Sequence, residues 1–220
     1  MAADAVTATG EHLQMVQKPS YRVALATYLG IKRLWSLLSS RFRKTLIRLE
    51  SRGNLSMPQD GHDARAVANE ILKLAHEAGR QLTPMQIIKL VYFAHGWCLA
   101  VLRRPLIREQ VQAWQYGPVV REVYWAFSRF GRQPITGFAQ DAFGAPYRAS
   151  LRADEQGLLE AVVQGYSHLH AWELSDLTHL PGTPWSETIR KGGHRPAISD
   201  PLMQDYFAKA LKASHGRATA

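Results

Sequence analysis

The sequence predicts a mainly α fold, α+β at most: a compact helical domain behind a basic N-terminal extension, with room for one short β-hairpin around Ile107–Trp114. Three observations carry this. After Asp60, apolar residues recur at three- and four-residue spacing in most segments. Capping residues stand at the heads of several of those segments. Only the stretch from Ile107 to Trp114 alternates as a strand does, with Val111 and Ala113 set between Gln110 and Gln112.

Taken in order, residues 1–20 are small and polar with no apolar period, so they read as disordered. From Tyr21 to Glu50, leucines and aromatics at roughly helical spacing are interleaved with basic residues. Ser51–Gly61 holds Gly53, Asn54, Pro58 and Gly61, the composition of a linker. Met57 stands just before a capped helix, as a start codon would. Residues 1–56 are therefore either a basic arm for phosphate-bearing surfaces or an over-long start, and the second reading is favoured because the domain from 57 to 213 is complete without them. Residues 214–220 read as a flexible tail.

Asp63 is a good N-cap for a helix whose apolar face runs Ala64, Val67, Ala68, Ile71, Leu72 and Ala75, closed by Gly79. Thr83-Pro84-Met85-Gln86 opens the next helix: Thr83 caps, Pro84 needs no N–H, and Gln86 can reach back to the Thr83 amide. That helix is apolar almost all round through Val101, which predicts a central position. Pro105 stops it. Gly117-Pro118 reads as a turn, and Val119, Val120, Val123, Tyr124 and Phe127 as one helical face ending at Gly131. Ile135–Tyr147 reads as loop, Asp154–His170 as an amphipathic helix, Ser175 as the cap of a short helix to His179, Trp185–Ile189 as a helical piece, and Ser199 as the start of a last helix to about Ala213.

Composition narrows the class. Apolar residues make up 46% of the 220, enough to bury a core. One cysteine permits no disulfide within the chain and no cysteine-based zinc site, which points to a reducing, cytoplasmic setting. No run of about 18 uncharged apolar residues occurs, so no membrane span is expected. The net charge of +9 is uneven: residues 1–56 hold nine Lys/Arg against Asp4, Glu11 and Glu50, leaving +3 for the rest.

No catalytic constellation stands out, and the reading is that this is not an enzyme. His168 and His170, two apart on a helix, point to different sides, and with His179 they make a weak metal signal; no metal and no cofactor are expected. Cys98 sits in the most apolar helix, where packing is favoured over reactivity. No nucleophile elbow and no glycine-rich phosphate loop occurs. Gly96, inside a helix, costs about 1 kcal/mol relative to alanine. Either a backbone or large ring lies against it, or it floors a pocket. Trp114, Tyr116, Gly117 and Pro118 are either a docking turn or a Trp-Pro plug of the core that Tyr116 covers. Basic residues of the main domain, at 103–108 and 190–195, read as solvated loops.

The order of these blocks resembles the SocA-type antitoxins, the Panacea-domain family, including phage-associated GepA-like proteins. The matching pieces are LTPMQIIKLVYFAHGWCLA, RRPLIREQVQAWQYGPVVREVY, FGRQPIT, ELSDLTHLPGTPW and the final ISDPLMQDYF, within about Asp60–Leu211. The helix ending Tyr92-Phe93-Ala94-His95 and the block from Ala113 through Gly117-Pro118-Val119 are specific together; Thr178-His179 and Pro184-Trp185 raise the match. The resemblance implies an antitoxin of a bacterial or prophage pair that binds a toxin encoded beside it. One branch also delivers its toxin to the ClpXP protease, and some relatives carry an N-terminal DNA-binding segment. It supplies no catalytic residues. The expected partner-binding surface is Trp114, Tyr116, Gly117, Pro118, Arg121 and Tyr124, chosen for aromatic anchors beside a turn. The competing reading is a phage-associated regulator that binds DNA through the basic arm, and a third is an enzyme of unknown type.

Overall fold

A computed structural model of the protein describes residues 61–216. The basic extension and linker readings lie outside the described residues. The chain forms helices α1 (Ala64–Glu77) and α2 (Pro84–Val101), strands β1 (Val111–Trp114) and β2 (Gly117–Val120), then α3 (Arg121–Phe127), which runs into a single 3-10 turn at Ser128–Phe130. Four further helices follow: α4 (Ala153–Tyr166), α5 (Ala171–His179), α6 (Pro184–Arg190) and α7 (Asp200–Gly216). The mainly α expectation with one small hairpin holds.

Helix α2 is the axis of the fold. It is buried from Ile87 to Ala100, and it touches α1, α3, α4, α5, α7 and β2. Its predicted start is present: the Thr83 amide donates to Gln86 Oε1 at 2.9 Å. Asp63 caps α1 by accepting from the Arg65 amide, and the Gly79 end is closed by Arg80 N–H donating to Ala75 O. Cys98 is buried, and burial pushes its thiol up to about 12, which leaves it a packing residue.

Gly96 meets a ring. A Cβ there would land in the ring of Phe207 on α7, so the glycine is what lets α7 lie against α2. Phe207 also makes edge contacts with Trp97, Tyr92 and Phe93, while Phe93 stacks on Tyr166 at 4.7 Å. Trp97 Nε1 donates to the Tyr166 hydroxyl, which leaves the buried indole N–H satisfied.

Three local expectations are corrected. Gly117 and Pro118 are not the turn: they open β2, and Val119 and Val120 belong to that strand rather than to a helix. The pairing runs Val111↔Val120 to Trp114↔Gly117, so the loop is Gln115-Tyr116. Pro118 is tolerated because it faces Ala113, whose own N–H donates outward to Pro196 O; this pair exchanges no ladder bond that would need a proline N–H. The valines are β-branched and buried, and that burial decides between strand and helix. The helix of Asp154 stops at Tyr166, not His170. Ser175 is not a cap: α5 already begins at Ala171, where the His170 amide donates to Glu173.

The outer edge of β1 is covered by residues 196–198, with Ile198 N–H donating to Val111 O at 2.9 Å. The long loop after α3 is pinned by buried Asn69, whose amide donates to Ala139 O and Tyr147 O and accepts from Ala139 N. Where the described chain begins, His62 exchanges backbone bonds with Leu106 and Arg108. Its ring meets Glu155, which also receives Arg104 Nε and the Arg152 amide. Burial alone would raise the Glu155 carboxyl, but those three donors hold it below the usual range. α7 extends three residues past the Ala213 expected.

Candidate protein-binding face

The face is built on a buried lysine. Lys89 of α2 is 0% exposed, and its Nζ donates to Tyr116 O at 2.7 Å and Pro118 O at 3.1 Å. No carboxylate pairs with it among the described residues, and burial lowers it to about 7. Ser175 Oγ donates to the same Tyr116 carbonyl at 3.0 Å. Gly117 is at φ +105, and a Cβ there would press on Lys89 Nζ and Thr178 Oγ1. The hairpin loop is thus clamped from beneath by α2 and α5, and the glycine allows both the left-handed backbone and the close approach.

A second tether holds β1. Trp185 of α6 donates its indole N–H to Trp114 O at 2.8 Å, and its ring lies against His179 at 4.0 Å. Burial, then the Lys89 charge, hold the His179 imidazole below its ordinary value, against Asp176. Its Nε2 is buried with no hydrogen-bond partner, consistent with a neutral ring packed on an indole.

Above these supports lies a strip of rings. Trp114 meets Tyr124 at 5.0 Å, and Tyr124 meets Trp125 at 5.1 Å. Trp114 is half-buried and its N–H donates to Gln112; Trp125 is 65% exposed. The Arg195 guanidinium lies 4.0 Å over the Trp114 ring. Tyr116, 64% exposed, stands at the loop tip. Large exposed rings held by rigid supports are the chemistry of a protein contact, since they offer area at small conformational cost.

The structure brings together Trp114 and Tyr124, and keeps Tyr116 and Arg121 exposed on the loop and at the head of α3. Gly117 and Pro118 are buried and serve as backbone supports under the loop. The candidate face also takes in Lys89, Trp125, Trp185 and Arg195, which the expected surface left out. Trp125 was legible: Val123 and Phe127 are the buried residues of α3, so Trp125, midway between them, points outward. Lys89 gave only a faint signal, one cation inside an otherwise apolar helix. Trp185 and Arg195 reach Trp114 through tertiary contacts that spacing does not encode.

Other groups do not assemble a site. His170 is exposed at the start of α5, while His179 faces Trp185. Among the described residues, no group of three or more His, Cys, Asp or Glu side chains could hold a metal ion, and no helix is long and apolar enough to cross a membrane. A cleft between α1 and the loop after α3, lined by Leu72, His76, Leu82, Ile135 and Phe138, carries no acid–base pair.

Residues 87–186, which include Lys89, the hairpin and Trp185, match the model of the antitoxin SocA-like, Panacea domain family. Antitoxin SocA of Caulobacter vibrioides (strain NA1000 / CB15N) is 32% identical over 155 residues, covering 66% of this chain and 82% of that protein. This chain belongs to the SocA-like Panacea family. No solved structure matches it. In this Panacea domain, the matched span runs from the clamp on α2 to the head of α6, so it encloses both tethers of the aromatic face.

Proposed function

We propose that this chain is an antitoxin that neutralises a toxin protein by binding it directly, and that the hairpin face is where it binds. The observation that carries the reading is the strip Trp114–Tyr124–Trp125 beside exposed Tyr116, fixed from below by Lys89 and Trp185. Family membership supports the antitoxin role. Binding would draw on buried aromatic area at the centre, with polar groups such as Arg121 at the rim setting register. Masking an active surface needs no catalysis by the antitoxin.

The test is a rescue experiment. The protein encoded beside this chain is expressed alone, then with the full chain, and any complex is purified. Arrest by the neighbour alone, and growth with a stable complex when both are present, is the expected result. A harmless neighbour, or one that arrests growth regardless, counts against the reading. Delivery of the bound toxin to ClpXP, as in one branch of the family, is a separable activity. Toxin half-life in cells with and without ClpX distinguishes it from masking.

A further inference from the structure

The chemistry of the face specifies what it takes. We propose that it binds an acidic segment of the partner, in which a carboxylate pairs with Arg195 and an adjacent apolar side chain lies on Trp114, Tyr124 and Trp125. This rests on the antitoxin reading and goes further by naming the chemistry of the toxin surface.

The argument begins with the guanidinium. Arg65, Arg104, Arg108, Arg121 and Arg190 all lie within ion-pair distance of carboxylates. Arg195 does not, and neither does Arg129, which lies over Phe130; Arg195 is exposed, and its charged end rests on Trp114 of the strip itself with no hydrogen bond to any described residue. Stacking on an indole orients a guanidinium and removes part of its water, yet leaves its N–H groups unused. A group so held loses little freedom on pairing, and a planar fork suits a carboxylate.

Charge around the strip agrees. The two segments that carry the rings, 111–130 and 184–198, hold five Lys/Arg and two Glu, while α5 beneath the loop adds exposed Asp176 and half-buried Glu173, which accepts from the His170 amide, so the face keeps a net positive charge. Both glutamates of the ring-bearing segments already lie beside arginines of their own helices, Glu122 by Arg121 and Glu187 by Arg190. The surplus excludes two nearer occupants. Residues 1–56 of this chain carry a net +6 and would be repelled, and a second copy would set one basic face against another. An acidic segment with an apolar neighbour satisfies both the guanidinium and the rings.

The probe is a library of random twelve-residue peptides displayed on phage, selected on the immobilised full chain and counter-selected on the full-length R195E variant, which keeps the same basic N-terminus. Expected binders place Asp or Glu beside Trp, Phe or Leu. A synthetic peptide from that consensus should bind about tenfold more weakly to R195A and lose more on R195E. Exchanging its acid for lysine should restore binding to R195E. Arg195 is exposed, so these variants fold, and matching thermal melts check it. Binders without acids, or equal binding to R195E, overturn the inference while leaving toxin rescue by the wild-type chain intact. Arg195-dependent binding without toxin rescue instead sinks the antitoxin reading and leaves the acid-binding face standing.

Discussion

Helix α2 meets two regions of the molecule in two different ways. At Gly96 it meets α7 chiefly through rings, with Phe207 seated where a side chain would otherwise be. Two turns earlier it meets the hairpin through the amine of Lys89, which reaches one carbonyl of the loop and one of β2. The first contact is apolar, shape-matched and intolerant of change. The second holds a loop in one conformation while gaining little stability, because an amine with no counter-charge is costly to bury. One region packs the core; the other holds the hairpin in place.

Phe207→Ala separates the two most sharply. It removes a ring that touches Trp97, Tyr92 and Phe93, and should cost about 3–5 kcal/mol in urea unfolding. Partner affinity per folded molecule should not change. A variant that binds poorly while fully folded would show that the two regions are coupled.

Glu155→Gln tests the opposite kind of buried charge. Glu155 is buried less deeply than Lys89, and it has three donors, from Arg104, His62 and the Arg152 amide. Weakening that set should cost about 1.5–3 kcal/mol. The sign in pH follows from a carboxyl held low in the fold. Its contribution is present above the ordinary carboxylate range and is lost as pH falls through the folded value. Wild type should therefore lose stability in acid more steeply than E155Q. Equal acid limbs in the two proteins would remove Glu155 from the account.

Lys89→Met reverses the balance. A lysine at about 7 in the fold binds fewer protons than the same lysine unfolded once pH exceeds 7, so wild-type stability should rise from pH 7 to 9. His179 titrates below that window, and the Cys98 thiol, ordinarily near 9, starts to oppose the trend only in the upper half of it. K89M should lack the rise and stay within about 1 kcal/mol of wild type at pH 7. Its partner affinity should nonetheless fall about tenfold, because the Tyr116 and Pro118 carbonyls lose their donor. A flat wild-type profile would show that the amine is not perturbed as described.

The contrast also explains what could be read from the sequence. Apolar periodicity and caps are local signals, so Asp63, Thr83 with Gln86, and the central place of α2 were legible. Gly96 announced a close neighbour without saying which. The hairpin was misplaced by a few residues because Gly-Pro is a strong turn signal and Val119-Val120 fits a helix face as well as a strand. Only Pro196 and Ile198 on the far edge of β1, together with burial of the valines, decide it. The proposed face was half legible. Trp114, Tyr116 and Tyr124 are picked out by residue type and proximity, whereas Trp185 and Arg195 arrive on Trp114 from 71 and 81 residues away.

Tyr116→Ala should have the smallest effect on the fold and a specific effect on binding. The side chain is 64% exposed, and its clamp to Lys89 and Ser175 runs through the backbone carbonyl, which alanine keeps. Unfolding free energy should therefore stay within about 0.5 kcal/mol of wild type. If the tip is a contact, toxin affinity should drop about tenfold by titration, with the loss in dissociation rate. Unchanged affinity would assign the contact to the ring strip alone, with the clamp serving Trp114 rather than the tip. K89M decides between these two roles. When the clamp serves the tip, K89M adds nothing to Y116A; when it serves Trp114, K89M keeps its full loss in the Y116A background, because independent sites sum and shared ones do not.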